Sequence, residues 1–362
     1  MCAPWWRGLN AGAALPSLAA GYAGPPLTER ASVGPAGRRR SLEKCRPTVS
    51  AAPALNGHTF ADVKKRALIG TCSWTDPTLL ESGWYPAAIA KKPDERLRYY
   101  AEQFSLVEND ASYYALPDQK QAKLWVERTP ENFTMNFKAF ATITTHPTDP
   151  KRLPKELRES LPAETREKRR LYPKDLPKEL IDEIHARFWV ALEPLRKAGK
   201  LGAILLQYPD WFTITGKNKS EILRARELLP DDRLAVEFRN RLWMEERNRD
   251  ETLAFLRDNG LSYVAVDEPQ GFPSSIPPVD AVTAPLAVVR FHGRNAENWK
   301  KPGLTAAERF DYSYKKSELE EWLPKIKRME EASEEIHLLM NNCYGDKAVN
   351  NARDLSELLA RR

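Results

Sequence analysis

The polar residues best suited to chemistry stand at the ends of short apolar segments that recur along the chain. Glu108 and Glu237 are the candidate general acid and base, because two carboxyl groups close together can differ enough in pKa to exchange a proton with a substrate. A second set could hold that substrate, and its cationic members suit a phosphate or a carboxylate. These candidate substrate-binding residues are Lys138, Arg239, Arg290, His292, Arg294, Asn341, Gln207, Trp74 and Tyr114.

The apolar segments predict eight β-strands, and helical patterns lie between most of them. The predicted strands are 67–73, 105–110, 133–138, 202–207, 233–239, 262–267, 286–292 and 335–341. This alternation predicts an α/β protein with a single (β/α)8 TIM-type barrel. An open, doubly wound sheet is the alternative, but it usually has a glycine-rich loop after its first strand, and residues 70–74 contain no GxGxxG pattern.

Capping residues predict several helix boundaries. Asp118 is a candidate N-cap, and Asn259-Gly260 is a helix-ending signal. Apolar residues between 181 and 195 form one long stripe that Gly199 ends, and a second stripe covers 319–326. The segment 269–285 contains no regular pattern and is predicted to be irregular.

Side-chain alternation along the strands predicts which polar groups face the inside of the barrel. In the seventh strand Val289 and Phe291 must face the helices, so Arg290 and His292 face inward. The same reasoning turns further polar side chains inward, namely Glu108, Asp110, Asn136, Lys138, Gln207, Glu237, Arg239, Asp267 and Asn341. Most lie at the C-terminal ends of their strands, where barrels of this type have their active sites. A structural network of buried ion pairs is the alternative.

Aromatic residues and one long connection are predicted at the same end of the barrel. The aromatic residues are Trp74, Trp84, Tyr85, Tyr113, Tyr114, Tyr208, Trp211, Trp243, Trp299 and Tyr344. Their rings could stack on a base or a sugar, or simply pack the loops. Residues 139–200 form a long insertion between strands three and four, and 149–178 hold ten basic and six acidic residues. A lid, a basic shelf for a polyanion and a solvated loop all fit this composition.

The charge of the chain is unevenly distributed. The net charge is +6 over 362 residues, but residues 1–57 contribute +5 and the remainder only +1. A polycationic nucleic-acid-binding body is therefore weakly supported. Residues 1–57 are predicted to be a disordered tail or a mis-called start, with a targeting peptide as the alternative. The barrel domain is assigned to 58–362. The absence of long apolar runs argues against a membrane partner, and four cysteines without CxxC spacing suit a cytoplasmic protein.

The ordered set of strand-end motifs resembles the domain-of-unknown-function-72 family, also called YecE-like, over residues 67–360. The matching stretches are 69–74 (IGTCSW), 107–114 (VENDASYY), Lys138 with 145–146 (TH), 206–209 (LQYP), 236–239 (VEFR) with Trp243, 290–294 (RFHGR), 311–314 (DYSY), 341–342 (NN), Ala348 and 351–352 (NA). The resemblance implies a TIM-type barrel. The chain departs from the family pattern at Asp110 and Ala111, where Asn and Ser are usual, so position 110 has lost a hydrogen-bond donor.

Three functions are consistent with these residues. The first is an enzyme, with a hydrolase as one option, that acts on a small anionic substrate and needs no cofactor. The second is a metal-dependent phosphodiesterase on nucleic acid, by analogy with endonuclease IV-type barrels. Its ligands would come from His146, His292, Glu108, Glu237, Asp110 and Asp267, although no HxH or HExxH spacing occurs. The third is a ligand-binding module without catalysis. The oligomeric state has no signature in the sequence.

Overall fold

A computed structural model describes residues 66–361, and in this part of the chain eight parallel strands close into a barrel in chain order. The strands are β1 (Arg66–Thr71), β2 (Leu106–Asn109), β3 (Thr134–Lys138), β4 (Leu201–Gln207), β5 (Leu234–Glu237), β6 (Ser262–Asp267), β7 (Leu286–Phe291) and β8 (Glu335–Met340). β8 pairs with β1 over six residues, from Arg66 opposite Glu335 to Thr71 opposite Met340, and this pairing closes the ring. The predicted barrel and its eight strands are confirmed.

Helices connect most of the strands and cover the outside of the barrel. The α-helices are α1 (Pro77–Glu81), α2 (Ala87–Ala90), α3 (Pro93–Gln103), α4 (Ala111–Tyr114), α5 (Gln119–Glu127), α6 (Lys155–Glu159), α7 (Ala163–Arg166), α8 (Lys178–Ala191), α9 (Glu193–Lys197), α10 (Gly216–Leu228), α11 (Glu246–Asp258), α12 (Ala306–Arg309), α13 (Lys316–Glu320), α14 (Leu323–Ala332) and α15 (Lys347–Ala360). Short 3-10 helices cover Ala141–Thr144, Pro150–Arg152, Pro173–Asp175 and Arg241–Trp243. As predicted, 269–285 contains neither helix nor strand.

The outward face of the strands is apolar and packs against the helices, as the alternation predicts. Phe137 of β3 lies 5.3 Å, between ring centroids, from Trp125 of α5, and Phe291 of β7 lies 5.2 Å from Trp322. Asp118 caps α5 through a reciprocal pair of bonds with Gln121, which satisfies free amides at the helix start. The predicted N-cap is confirmed, and so is the end of α11 at Asn259-Gly260, where Gly260 has a positive φ of 62°.

The two predicted apolar stripes each form two helices instead of one. The first breaks at Leu192, between α8 and α9, because Pro194 has no amide hydrogen to continue the ladder. In an unbroken helix, an amide hydrogen at position 194 would bond to the carbonyl of Val190. That carbonyl accepts a hydrogen bond from Gln119 Nε2 at 3.1 Å instead. Pro324 breaks the second stripe in the same way, between α13 and α14.

One inward polar side chain belongs to the fold itself. The pairing of β3 with β4 shifts register between Met135 and Phe137, which disturbs the regular backbone bonds. Asn136 Oδ1 accepts a hydrogen bond from the backbone amide of Ala203 at 2.9 Å and so satisfies a donor at this irregularity. We therefore assign Asn136 to the barrel wall.

Residues 139–200 connect β3 with β4 through short helices and α8 and α9, and most of the segment before α8 is not strand or long helix. The prediction for the tail, residues 1–57, lies outside the described residues. Within 66–361, the helices are all too short or too polar to span a lipid bilayer.

Gly70 of β1 offers a test of how tightly β1 and β2 are packed. A Cβ atom at Gly70 would lie 1.8 Å from the backbone oxygen of Leu106, so one strand must move away. We expect Gly70→Ala to lower the free energy of unfolding by about 3 kcal/mol, the cost of overpacking a rigid core. Urea denaturation followed by circular dichroism measures the change.

Gly216→Ala is the matched control, because nothing lies within 4 Å of the added methyl group at the start of α10. We expect its stability to be unchanged or up to about 1 kcal/mol higher. Equal stabilities for the two variants would contradict the described contact between β1 and β2.

Candidate functional site

The centre of the barrel mouth is the guanidinium of Arg290, which is fully buried at the end of β7. Its NH1 donates a hydrogen bond to Glu237 Oε2 at 2.5 Å, and its NH2 donates to Glu108 Oε1 at 2.7 Å. Asp110 Oδ1 lies 3.8 Å from the same NH2, and Cys72 Sγ lies 3.4 Å from it. Arg290 therefore joins Glu108 of β2 and Glu237 of β5 across the barrel, beside Cys72 directly after β1, and its charge is compensated inside the protein.

Glu237 is the most completely satisfied carboxylate of the mouth. Besides Arg290, its Oε1 lies 2.6 Å from the donor Gln207 Nε2, 3.2 Å from Arg239 NH1 and 3.1 Å from His292 Nε2. Burial alone would raise the pKa of this carboxyl group, but the charge of Arg290 and the contact with His292 hold it well below its usual range. Glu237 is thus an ionised anchor with little capacity to take up a proton.

Glu108 has the same burial as Glu237 but far fewer donors. Its Oε2 has no hydrogen-bond partner among the residues that the structure describes. Burial raises the pKa of Glu108 to about 7, against the opposing charge of Arg290 and with a further rise from the nearby Asp110. A carboxyl group with a pKa near neutrality can both release and accept a proton at physiological pH. The two predicted acid–base residues are therefore chemically different.

His292 is held in its neutral form between β5 and β8. Burial lowers its pKa to about 4, although Glu237 acts in the opposite direction. Asn341 Nδ2 lies 2.7 Å from Nδ1, and Nε2 faces Glu237, so the tautomer that satisfies both contacts carries its hydrogen on Nε2. Asn341 and His292 thus brace one side of Glu237.

Arg239 belongs to a second ion-pair cluster, which contains a residue that the sequence analysis missed. Arg239 NH1 lies 3.2 Å from Glu237 and 3.1 Å from Glu268 Oε2, and its guanidinium lies over the ring of Trp299. Burial raises the pKa of Glu268 to about 7 despite the charge of Arg239. The only sequence signal for Glu268 is a carboxylate directly after the sixth strand.

Lys138 differs from Arg239 and Arg290, the paired arginines of the mouth. It ends β3 partly buried, with Nζ 4.7 Å from the centroid of the Tyr113 ring, and it forms no ion pair with any residue between 66 and 361. Burial and the positive charge of Lys138 together lower the pKa of His146 to about 3. The charge of Lys138 also acts on Glu108 of the neighbouring strand, where it favours the ionised carboxylate. An ammonium group without an ion pair is well able to receive an anion from solvent.

His146 is positioned by strained backbone. Thr145, directly before it, has a φ of 63°, and among the described residues no other non-glycine residue has a positive φ. A β-branched residue in this conformation costs of the order of 1 to 3 kcal/mol, which the surrounding structure must offset. The conformation places His146 at the mouth, with Nδ1 3.0 Å from Thr144 Oγ1.

Above these groups lies a cavity of about 480 Å³. Five of the predicted substrate-binding residues line it, namely Lys138, Gln207, Arg239, Asn341 and Tyr114, and Asp110 lines it as well. The polar floor consists of Asp110, Lys138, Gln207, Arg239 and Asn341, while Tyr114, His146, Trp211, Trp299 and Phe310 form aromatic walls. Glu108, Glu237, Arg290 and His292 lie outside this lining and are fully buried. The cavity has the size expected for a small-molecule site.

Two predicted substrate-binding residues lie elsewhere. Arg294 pairs with Asp267 at 2.8 Å and with Glu321 at 2.8 Å, because Gly293 has a φ of 86° and interrupts the strand alternation. Trp74 packs edge-on against Trp125 at 6.5 Å. Neither lines the cavity.

The prediction that Asp267 faces inward is wrong. Asp267 is paired in register with the outward Phe291, and its carboxylate accepts hydrogen bonds from Tyr314 and from Trp322 Nε1 on the helix side. Both faces of β6 are apolar, so hydrophobic patterning does not fix which face is inside. The inward carboxylate is the next residue, Glu268.

The proposed metal ligands are not gathered in one place. Asp267 is on the helix side, and His146 is on the cavity wall, whereas Glu237 and His292 contact each other beneath the floor. Among residues 66–361, no group of three or more His, Cys, Asp or Glu side chains is arranged to hold a metal ion.

Comparison with known proteins identifies similar chains. A family model described as "Protein of unknown function DUF72" matches residues 68–362. The UPF0759 protein YunF of Bacillus subtilis (strain 168) is 31% identical over 295 residues, which cover 80% of this chain and 94% of YunF.

Solved structures give the same picture. A crystal structure of a DUF72 family protein from Enterococcus faecalis V583 superposes with a TM-score of 0.66 at 26% identity, covering 81% of this chain and 95% of that one. One from Thermotoga maritima MSB8 has a TM-score of 0.64 at 27% identity, covering 82% and 99%.

The raised pKa of Glu108 predicts a pH dependence of stability. Between pH 4.5 and pH 7 the folded protein keeps the proton that the unfolded chain releases, so this contribution to stability is full at pH 4.5 and falls as the pH rises. Over this range the stability of the wild type should decrease by about 3 kcal/mol relative to Glu108→Gln, which has no proton to lose. Urea denaturation at intervals of half a pH unit measures the difference. If the free energy of unfolding changed with pH in the same way in both proteins, the raised pKa of Glu108 would be contradicted.

Proposed function

This chain belongs to the DUF72 family, and from the geometry of its cavity we propose that it is an enzyme that binds a small organic anion at Lys138. The observation that carries the proposal is the charge balance of the mouth. Arg290 is paired with Glu108 and Glu237, and Arg239 is paired with Glu237 and Glu268. Lys138 is the cation of the cavity floor that has no ion pair within the described chain, and Arg309 is a second such cation in the lining.

The surroundings of Lys138 suit a phosphate or carboxylate group. The ammonium lies over the Tyr113 ring, whose π-face attracts a cation without supplying a negative charge. The amides of Gln207 and Asn341 are in the same floor and can donate hydrogen bonds to the oxygens of an anion. A compact ammonium group binds such oxygens as a point charge, without the fixed geometry of a guanidinium.

The carboxyl groups at the end of β2, the strand next to that of Lys138, support catalysis rather than binding alone. Asp110 lines the cavity, and Glu108 lies behind it, both at the NH2 nitrogen of Arg290. A buried carboxyl group with a pKa near 7 is costly to the fold, and such groups are concentrated at active sites. In this proposal Asp110 exchanges a proton with the substrate, Glu108 holds the proton beside it, and Glu237 positions Arg290.

The proposal is tested by the binding of sulfate, whose charge is fixed across the relevant pH range. We expect Lys138→Met to weaken sulfate binding at least tenfold, since a tenfold change is only about 1.4 kcal/mol and a charge-assisted hydrogen bond contributes at least that much. Isothermal titration calorimetry at low ionic strength measures the affinity.

Lys217→Met is the matched control, because Lys217 is exposed on α10, away from the cavity lining. It removes the same charge and should leave sulfate affinity within twofold of the wild type. If both variants lose affinity equally, sulfate responds to overall charge, and Lys138 is not the receptor.

A further inference from the structure

Two large aromatic side chains are exposed at the rim of the cavity. Trp211, in the loop after β4, has 56% of its surface exposed, and Tyr114, at the end of α4, has 46%. Single exposed apolar residues are common on protein surfaces, but these two line one cavity. An indole and a phenol at the entrance of a polar site each offer a ring face on which a ligand can stack, although the Arg152 guanidinium lies over the Tyr114 ring at 5.2 Å.

Ring contacts connect this aromatic rim to the anion site. Tyr114 lies edge-on to Tyr113 at 4.9 Å, and Tyr113 carries Lys138 over its face. His146 lies 5.3 Å from Tyr113 and 5.9 Å from Trp211, again edge-on. The aromatic wall thus runs without interruption from Lys138 to Trp211, and the strained Thr145 holds its central ring in place.

The loop of Trp211 is fixed from the other side as well. Asp210 pairs with Lys300 at 2.9 Å, which ties the loop after β4 to the loop after β7. Asn240 Nδ2 donates a hydrogen bond to the Asp210 carbonyl at 2.7 Å. Trp299, next to Lys300, packs against Phe310 at 5.9 Å and against Arg239. The stacking surface is therefore in place before a ligand binds.

From this arrangement we propose that the wall of Tyr114, His146 and Trp211 binds the planar ring of a nucleoside monophosphate whose phosphate lies at Lys138. The inference rests on the proposed function and adds the class of substrate. Stacking of a base on one aromatic side chain contributes about 1 to 3 kcal/mol and tolerates every base, because each has a π-face. The cavity of about 480 Å³ has room for a base and a ribose besides the phosphate. The hydroxyl groups of Ser73 and Thr75 in its lining are suitable partners for ribose hydroxyls.

The test compares three ligands that share an anionic group: AMP, ribose 5-phosphate and sulfate. Calorimetric titration of the wild-type protein should show AMP binding at least tenfold more tightly than ribose 5-phosphate. In Trp211→Ala this preference should fall to within twofold, while the affinities for ribose 5-phosphate and sulfate stay within twofold of the wild type. Tyr172→Ala is the matched control, because Tyr172 is 45% exposed and lies outside the cavity lining, so its AMP preference should be unchanged.

Each other outcome overturns a defined part of the account. Equal binding of AMP and ribose 5-phosphate that depends on Lys138 overturns the ring site and leaves the proposed function in place. Tighter binding of ribose 5-phosphate than AMP, lost in Trp211→Ala, makes the occupant a sugar ring and also overturns the inference. If none of the three ligands binds the wild type, the proposed function fails and this inference fails with it.

Discussion

The burial of Arg290 is the constraint on which the rest of the mouth depends. A guanidinium with no exposed surface is tolerable only if carboxylates and further hydrogen bonds replace its water. Two carboxylates bind its NH1 and NH2, one from β5 and one from β2, while its Nε has no hydrogen-bond partner among the described residues. Strands that are not neighbours in the barrel are thus joined through its axis. The closed ring of parallel strands provides this convergence, because all eight strands end at the same face.

Glu108 and Glu237 share the Arg290 guanidinium, but they differ in the other donors that they receive and therefore in pKa. Glu237 receives donors from Gln207, Arg239 and His292 as well, and it stays ionised. Glu108 receives little beyond Arg290, and burial keeps its pKa near 7. Because Arg239 and Arg290 are paired with these carboxylates, Lys138 is the cation of the polar floor that has no ion pair in the described chain. Arg309 of α12 also lines the cavity and has no ion pair among residues 66–361. In the proposed function, anion binding falls to Lys138 at the end of β3, and proton exchange falls to the carboxyl groups at the end of the neighbouring strand β2.

Side-chain alternation was sufficient to predict most of the inward polar groups, because an apolar outer face fixes the orientation of β2, β3, β5 and β7. It failed at β6, where both faces are apolar, and thus misplaced Asp267 and missed Glu268. It also failed beyond Gly293, where a positive φ turns Arg294 toward the helices. Which carboxylate each arginine contacts depends on how far its side chain extends across the barrel. The exposure of Trp211 depends on the conformation of the loop after β4. Neither quantity is encoded in local periodicity.

The most direct test of this account is the position of a bound anion. Crystals soaked in tungstate, a strong anomalous scatterer with the shape of phosphate, would locate it without ambiguity. The account predicts a tungstate peak in the cavity within hydrogen-bonding distance of Lys138 Nζ, with Arg290 still paired to Glu108 and Glu237. A peak at the Arg290 guanidinium with either carboxylate displaced, or a fully soaked crystal with no peak in the cavity, would contradict it.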